Sequence, residues 1–176
     1  MKTAKPAQVQ VIGIDHIYIT VSDLKRSEKF YDRLMRFLGF RKGIKPIDGE
    51  PHIHYYNRDT QLTLRPARPD RPSHDPYGPG LHHICLRVPD RAAVDTAAQG
   101  LRAIGIDVTQ PLLYPQYAPD YYATFFADPD GIRLEIVNHT AIRREIGAVW
   151  DELTDFVNPL QKLHARKGLA QTGGKS

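Results

Sequence analysis

Two stretches of the chain alternate apolar and polar residues in the same way. Residues 14–23 read IDHIYITVSD and residues 81–90 read LHHICLRVPD. At an offset of 67 residues, His16 matches His83, and a valine and an aspartate also correspond. Alternation with a period of two is typical of a half-buried strand. The two stretches therefore predict equivalent strands in a repeated module.

Each predicted strand runs into a predicted amphipathic helix. Asp23 and Asp90 stand at the N-cap, where a carboxylate accepts bonds from free backbone N–H groups. Gly39 and Gly105 follow the helices at the position where a left-handed residue often ends them. The apolar stripes have helical spacing and consist of Leu24, Tyr31, Leu34 and Leu38 in the first helix and Val94, Ala97, Leu101 and Ile104 in the second.

Three shorter strands are predicted after each helix, at 41–46, 52–57 and 60–65 and at 107–112, 121–127 and 132–138. The sequence Asp128-Pro129-Asp130-Gly131 is a turn between the last two. The predicted fold is therefore α+β, with two βαβββ modules that form a cupped mixed sheet. The modules span residues 11–65 and 81–138, which together make one domain (11–138), and the proline-rich segment 66–80 links them.

The pattern changes after the second module. A stripe of helical spacing and a cap at Thr140 predict one amphipathic helix over residues 139–160, and residues 161–176 are expected to be a disordered tail. The stripe consists of Ile142, Ile146, Val149, Leu153 and Phe156.

Composition narrows the class of protein. The net charge of +4 is spread along the chain, which does not favour a nucleic-acid partner. A single cysteine, Cys85, excludes an internal disulfide and fits a reducing compartment. No signal peptide or membrane-length apolar run is visible, so a cytoplasmic protein with no membrane partner is expected.

The alternating strands place three metal-binding side chains on equivalent faces. With the apolar residues turned to the helices, His16, His83 and Glu135 fall on the opposite side of their strands. Two imidazoles and one carboxylate form a suitable ligand set for a divalent ion and leave coordination positions open. The sequence therefore predicts an open metal site.

These residues, together with the stretch DPDGIRLE at 128–135, resemble the vicinal oxygen chelate superfamily, which includes glyoxalases, bleomycin-resistance proteins and extradiol dioxygenases. The resemblance covers about residues 13–138. It implies that His16, His83 and Glu135 bind Mn, Fe, Ni or Zn. Glyoxalases usually carry a fourth ligand, a glutamate, on the last strand of the first module. Thr63 occupies that position here, which is more like fosfomycin-resistance thiol transferases and extradiol dioxygenases.

Other side chains on the same predicted faces are candidates for substrate binding and catalysis. His54 is a candidate proton carrier, and Tyr122, from a tyrosine-rich segment, is a second candidate catalytic residue. Several arginines in the cup-facing register predict an anionic small-molecule substrate. The candidate substrate-binding residues are Tyr18, Thr63, Arg65, Arg87 and Arg133.

The resemblance implies a metal-dependent enzyme that chelates its substrate through two oxygens, with a glyoxalase-like lyase or isomerase as the default. A thiol transferase of the fosfomycin-resistance type, a ring-cleaving dioxygenase and a non-catalytic drug-binding protein stay open as alternatives. The open sheet edges and the apolar stripe around Val149, Trp150 and Leu153 predict a homodimer.

Overall fold

The computed structural model describes residues 9–152, 158–161 and 163–165. The chain divides into two compact units. The first contains the residues up to Asp75 together with Asp128–Gly131, and the second contains Pro76–Ala127 and the chain from Ile132 onward. The division at Asp75 falls inside the proline-rich segment that separates the two modules in the sequence.

Each unit holds one four-stranded mixed sheet, as the repeat predicts. The first comprises β1 (His16–Val21), α1 (Leu24–Phe37), β2 (Arg41–Ile44), β3 (Ile53–Tyr56) and β4 (Gln61–Pro66), in the sheet order β1-β4-β3-β2. The second comprises β5 (His83–Val88), α2 (Arg91–Ala103), β6 (Leu112–Leu113), β7 (Tyr122–Ala127) and β8 (Arg133–Asn138), in the sheet order β5-β8-β7-β6. The predicted pair of βαβββ modules is confirmed.

The helices begin and end for the predicted reasons. The carboxylates of Asp23 and Asp90 accept hydrogen bonds from the backbone N–H groups of Arg26 and Ala93. Gly39 and Gly105 both have positive φ just after the helices, a conformation that glycine adopts without a Cβ penalty.

One face of each helix packs on its own sheet, α1 on β4 and α2 on β7 and β8. The core residues include Ile19, Tyr31, Leu34 and Leu64 in the first unit and Ile84, Val94, Leu101, Leu134 and Ile136 in the second. In β1 and β5 the alternate residues are the more exposed ones, so the predicted assignment of faces is confirmed.

The strand predicted over residues 107–112 is wrong for most of its length, because β6 is only Leu112–Leu113. Pro111 has no N–H to donate to a ladder. Thr109 uses its side chain instead: its Oγ1 accepts from the backbone N–H of Phe125 at 2.9 Å, while its own N–H donates to the Phe125 carbonyl. This local pattern replaces regular strand pairing.

The C-terminal helix is shorter than predicted. The helix α3 spans Ala141–Ala148, and a 3-10 turn follows at Trp150–Glu152. Thr140 is the N-cap residue but makes no side-chain cap, and the carboxylate of Asp120 accepts the hydrogen bond from the Ala141 N–H at 2.7 Å.

Beyond the 3-10 turn, Leu153 and Phe156 of the predicted stripe lie outside the described residues, as do residue 162 and residues 166–176 of the predicted tail. Residues 159–161 and 163–165 have a helical backbone, and Leu163 is buried. In the part of the chain that the structure describes, no helix combines the length and apolar character needed to cross a bilayer.

The turn Asp128–Gly131 belongs to the first unit, although the strands it joins belong to the second. Asp130 accepts a hydrogen bond from the Ser22 N–H at 2.9 Å and pairs with Arg26 at the start of α1. Asp128 is 5% exposed and accepts the hydroxyl hydrogen of Tyr31 at 3.0 Å. Both carboxylates of the turn are therefore bound by residues in or just before α1.

The buried hydrogen bond from Tyr31 to Asp128 gives a stability prediction. Tyr31→Phe removes the donor of this buried hydrogen bond to a carboxylate, which should cost about 1–3 kcal/mol in the free energy of unfolding. Urea denaturation measures this loss. Tyr117→Phe, at a tyrosine that is 66% exposed, is the matched control and should change stability little. Equal stability of the two variants would show that the Tyr31 hydroxyl contributes nothing.

Candidate functional site

The parallel pairing of β5 with β8 brings the candidate functional side chains of the second unit together. In this register His83 stands opposite Arg133, and Cys85 opposite Glu135. Successive side chains of a strand alternate between faces. His83 and Cys85 therefore lie on the exposed face of β5, and Ile84 lies on the opposite, buried face. The pairing places Glu135 among side chains about 50 residues earlier in the sequence.

Glu135 is a buried carboxylate with two different partners. It is 3% exposed. Its Oε1 accepts the hydroxyl hydrogen of Tyr121 at 2.6 Å, and its Oε2 lies 3.4 Å from Nε2 of His83. Among the described residues, His83 is the only basic side chain within ion-pair distance of this carboxylate. A buried carboxylate is costly unless its oxygens are paired, so both neighbours stabilise it.

His83 is held through its other ring nitrogen. Its Nδ1 lies 2.7 Å from Nδ1 of His82, a hydrogen bond in which one ring donates and the other accepts. The guanidinium of Arg133 lies 3.4 Å from Nε2 of His82. Nε2 is therefore the nitrogen that His83 presents to Glu135.

Cys85 is the third side chain beside Glu135. The residue is exposed at the strand surface, but partial desolvation of its thiol, and then the negative charge of Glu135, raise the pKa of Cys85 from its ordinary value of 9.0 to about 12. Burial and the hydrogen bond to Glu135 also raise the pKa of Tyr121. Both groups keep their protons at neutral pH, which makes them hydrogen-bond donors rather than bases.

His16 occupies the corresponding position in the first unit. Its Nδ1 lies 2.8 Å from a carboxylate oxygen of Asp15, and the edge of its ring contacts Tyr18. The side chain is 51% exposed. Because Asp15 uses Nδ1, Nε2 is the nitrogen that His16 has for a ligand.

His54 and Thr63 are buried in the first unit and bonded to each other. His54 is 4% exposed and Thr63 is 0% exposed. Nδ1 of His54 lies 3.0 Å from the Thr63 hydroxyl and 3.1 Å from the Gln61 amide nitrogen, and Nε2 faces the Lys45 carbonyl at 3.4 Å. Both ring nitrogens of the candidate proton carrier are engaged, and the Thr63 hydroxyl is enclosed.

The three candidate anion-binding arginines differ in whether their charge is already paired and in how exposed they are. Arg65 forms an ion pair with Glu50 at 2.6 Å, so its charge already has a partner. Arg87 is exposed on the same face of β5 as His83, and Arg133 is half-buried beside His82. Tyr18, on the matching face of β1, is 42% exposed and contacts the ring of His52.

Tyr121, and not Tyr122, is the tyrosine beside Glu135. The Tyr122 hydroxyl donates to Asp95 of α2 at 2.8 Å, and Arg91 of α2 lies over its ring, so Tyr122 is on the helix side of the sheet. A catalytic role for Tyr122 stays a prediction, and it would have to be exerted from the helix side. In the register of β7 with β8, Phe125 stands opposite Glu135, so odd-numbered residues of this segment share its face. That register would have identified Tyr121.

The donor atoms gathered within one unit are those of His83 and Glu135. Across the described ranges, no group of three or more His, Cys, Asp or Glu side chains lies close enough together to hold a metal ion. His16, the third predicted ligand, is in the first unit and has its own partner in Asp15.

Comparison with known proteins identifies relatives over most of the chain. The family model described as Glyoxalase/Bleomycin resistance protein/Dioxygenase superfamily matches residues 13–136. The chain is 29% identical over 125 residues to the uncharacterized protein YqjT of Bacillus subtilis (strain 168). The aligned region covers 69% of this chain and 95% of the relative.

Solved structures share the fold at lower identity. A glyoxylase/bleomycin resistance protein/dioxygenase domain from Frankia sp. EAN1pec matches with a TM-score of 0.60 at 22% identity, over 73% of this chain and 98% of that one. The fosfomycin-resistance protein FosX of Listeria monocytogenes, solved with Mn(II) and 1S,2S-dihydroxypropylphosphonic acid, matches with a TM-score of 0.56 at 16% identity, over 77% and 98% of the two chains.

The raised pKa of Cys85 predicts slow alkylation in the metal-free folded protein. The thiolate is the reactive form, so at pH 8 the rate with iodoacetamide should be on the order of a thousandfold lower than for an ordinary thiol. The rate should rise about tenfold per pH unit through pH 10. Cys85 is the only cysteine, so mass spectrometry reports it directly, and the urea-unfolded chain provides the reference. A rate that levels off near pH 9 would contradict the prediction.

Proposed function

The chain belongs to the glyoxalase/bleomycin resistance protein/dioxygenase superfamily, and we propose that within it the protein is a divalent-metal-dependent enzyme acting on a small anionic substrate. The observation that carries the proposal is the pair formed by buried Glu135 and Nε2 of His83. The class of enzyme follows from the family, and the glyoxalase-type reaction is the default that the family suggests.

The spacing within this pair suits two ligands of one ion. The distance of 3.4 Å between His83 Nε2 and Glu135 Oε2 exceeds that of a strong hydrogen bond. Two donor atoms that each lie about 2.1 Å from one metal ion are about 3.0–3.4 Å apart in octahedral or tetrahedral coordination. The donor types, imidazole nitrogen and carboxylate oxygen, suit Mn, Fe, Ni or Zn. These two donor atoms therefore have the spacing expected for two ligands of one metal ion.

His16 remains the predicted third ligand because of its position in the sequence repeat. It is the repeat equivalent of His83, it is exposed, and its Nδ1 is occupied by Asp15 in the way that His82 occupies Nδ1 of His83. Thr63 is not part of the ligand set, since its hydroxyl is buried and bonded to His54 and Gln61. Two histidines and one glutamate thus form the proposed set.

The chemistry that such an ion supplies is Lewis-acid stabilisation of negative charge developing on a substrate oxygen, as a glyoxalase-type lyase or isomerase requires. On the face of the second unit, Arg133 and Arg87 provide the positive charge for an anionic group of the substrate. Arg65 contributes less, because Glu50 neutralises it. Tyr121 and Cys85 retain their protons and donate hydrogen bonds.

Glu135→Gln tests the proposed metal site. Gln is nearly isosteric and can still accept from Tyr121, so the fold should persist, but the only formal negative charge among the three ligands is lost. At a metal concentration 100 times Kd, the wild-type melting temperature should rise by about 5–10 °C, and the variant should lose most of this rise. Thermal melts with Mn²⁺, Fe²⁺, Ni²⁺ and Zn²⁺, beside metal analysis, measure the difference.

Glu152→Gln, at an exposed glutamate, is the matched control and should respond to metal as the wild type does. An equal response of wild type and Glu135→Gln would exclude Glu135 as a ligand. A wild type that binds a small drug-like molecule but none of the four metals would favour a non-catalytic binding protein.

We also propose that the protein is a homodimer. Apolar side chains before β1 and on the edge strands of both sheets are exposed in the single chain, and water contact with so many of them is unfavourable. They include Val9, Val11, Ile12, Ile44, Leu112 and Leu113. Light scattering at micromolar concentration should give twice the mass of one 20.0 kDa chain. A monomer at that concentration would exclude the dimer.

A further inference from the structure

The loop between β6 and β7 consists of two consecutive turns of the same kind. Residues 114–121 read YPQYAPDY, so a proline occupies the second position of each four-residue turn. The Tyr117 N–H donates to the Tyr114 carbonyl at 3.0 Å, and the Tyr121 N–H donates to the Ala118 carbonyl at 3.0 Å. Proline presets the φ that this turn position requires. The conformation of the loop is therefore largely determined by its own sequence.

Hydrogen bonds and burial also fix the loop to the rest of the second unit. The Tyr114 N–H donates to the Tyr121 carbonyl at 2.8 Å, which closes the loop. The Asp120 carboxylate accepts from the Ala141 N–H at the start of α3 at 2.7 Å, and Ala118 is 5% exposed. The side chains that the loop presents therefore have defined positions before a ligand binds, and little conformational entropy is lost on binding.

Three tyrosine rings of the loop and the ring of Phe125 in β7 contact one another. The ring centroids of Tyr114 and Phe125 are 5.2 Å apart in an edge-to-face arrangement. The ring centroid of Tyr117 lies 6.3 Å from that of Tyr114 and 5.2 Å from that of Tyr121. We call these four residues the aromatic cluster. Tyr117 is 66% exposed and the other three are half-buried, and contiguous rings in contact with water are typical of a binding surface.

The aromatic cluster lies beside the buried carboxylate of Glu135. The Tyr121 hydroxyl donates to Oε1 of Glu135 at 2.6 Å, and Phe125 stands opposite Glu135 in the pairing of β7 with β8. Glu135 and the four aromatic residues all belong to the second unit. A ring bound on the aromatic cluster would therefore lie next to the candidate reactive groups of that unit.

The charges of the second unit favour an anionic ligand. Aromatic rings can also bind a cation, as in cages for quaternary ammonium groups. Here both oxygens of Glu135 already have partners, whereas Arg87 and Arg133 lie on the same side of the sheet as this carboxylate. Desolvation raises the pKa of Cys85, and the positive charge of Arg143 in α3 is near enough to lower it in part. Positive charge therefore predominates around the aromatic cluster and disfavours a cation.

We propose that the aromatic cluster binds the ring of an aromatic carboxylate, with the carboxylate held by the arginines of the second unit. This inference rests on the proposed function and names the substrate class of that site. Two aromatic rings attract each other edge-to-face or offset-stacked beyond the effect of the area that they bury. A saturated ring of similar size buries a similar area but has no π face, so the aromatic cluster distinguishes the two.

The test is calorimetric binding of naphthoate, and of its saturated counterpart decalin carboxylate, to the full-length protein in the presence of a metal chelator. Naphthoate should bind more tightly by about two- to tenfold for each ring contact. Tyr117→Leu and Phe125→Leu should each weaken naphthoate binding by about two- to tenfold and leave decalin carboxylate binding nearly unchanged. Tyr117→Phe keeps the ring and should keep the affinity.

Phe37→Leu replaces an exposed ring on α1 and is the matched control, which should leave both affinities unchanged. Melting temperatures report whether each variant is folded. Equal affinity for naphthoate and decalin carboxylate, no measurable naphthoate binding, or tighter binding of naphthyl trimethylammonium would each overturn the inference. Wild-type naphthoate affinity in both Tyr117→Leu and Phe125→Leu would overturn it as well.

Ring binding and metal binding can be measured independently in this protein. Selective naphthoate binding that depends on the aromatic cluster, in a protein that binds no divalent metal, would support the inference and contradict the metal-dependent function. A metal response that Glu135→Gln removes, without selectivity for naphthoate, would support the proposed metal site and overturn the inference.

Discussion

The parallel pairing of β5 with β8 is the constraint on which the candidate chemistry depends. The two strands are separated in sequence by α2, β6 and β7, and only their register brings Glu135 opposite Cys85 and next to His83. A shift of one residue would move Glu135 to the helix side of the sheet. The apolar residues of the same strands prevent that shift, because Ile84, Leu134 and Ile136 would then lose their burial. The core therefore determines the position of a carboxylate that is not part of it.

Burial of Glu135 gives this position its chemical character. A carboxylate that is 3% exposed needs partners, and the structure provides a tyrosine hydroxyl on one oxygen and an imidazole on the other. Desolvation of Cys85 and Tyr121, together with the nearby Glu135, raises the pKa of both groups, so they keep their protons beside this carboxylate. In the first unit the corresponding strands carry a different network, in which His54, Thr63 and Gln61 bond to one another. The repeat thus preserved the backbone while its two polar faces took on different arrangements.

Some aspects of the fold could be predicted because they depend on near neighbours in sequence. The N-caps at Asp23 and Asp90 and the glycines that end both helices are decided within a few residues, and all of them were confirmed. Predictions failed where a residue distant in sequence made the hydrogen bond that was expected from a local one. Asp120 caps α3 in place of Thr140, and Thr109 bonds to Phe125 where a regular strand was expected. The turn 128–131 was recognised as a turn, but its carboxylates bind Ser22, Arg26 and Tyr31, about 100 residues away.

The sequence by itself determined the two modules, the faces of their first strands and the residue types proposed as ligands, because alternation, helical spacing and turn chemistry are local properties. Only the tertiary structure decided which atoms of those residues are engaged. It placed Tyr121 beside Glu135 and Tyr122 against α2, since the register of β7 on β8 sets the face of each tyrosine. It enclosed the Thr63 hydroxyl and neutralised Arg65 with Glu50. It also placed Asp15 and His82 on Nδ1 of the two histidines. Hydrogen bonds depend on distances of a few tenths of an ångström, and such distances are fixed by packing rather than by sequence pattern.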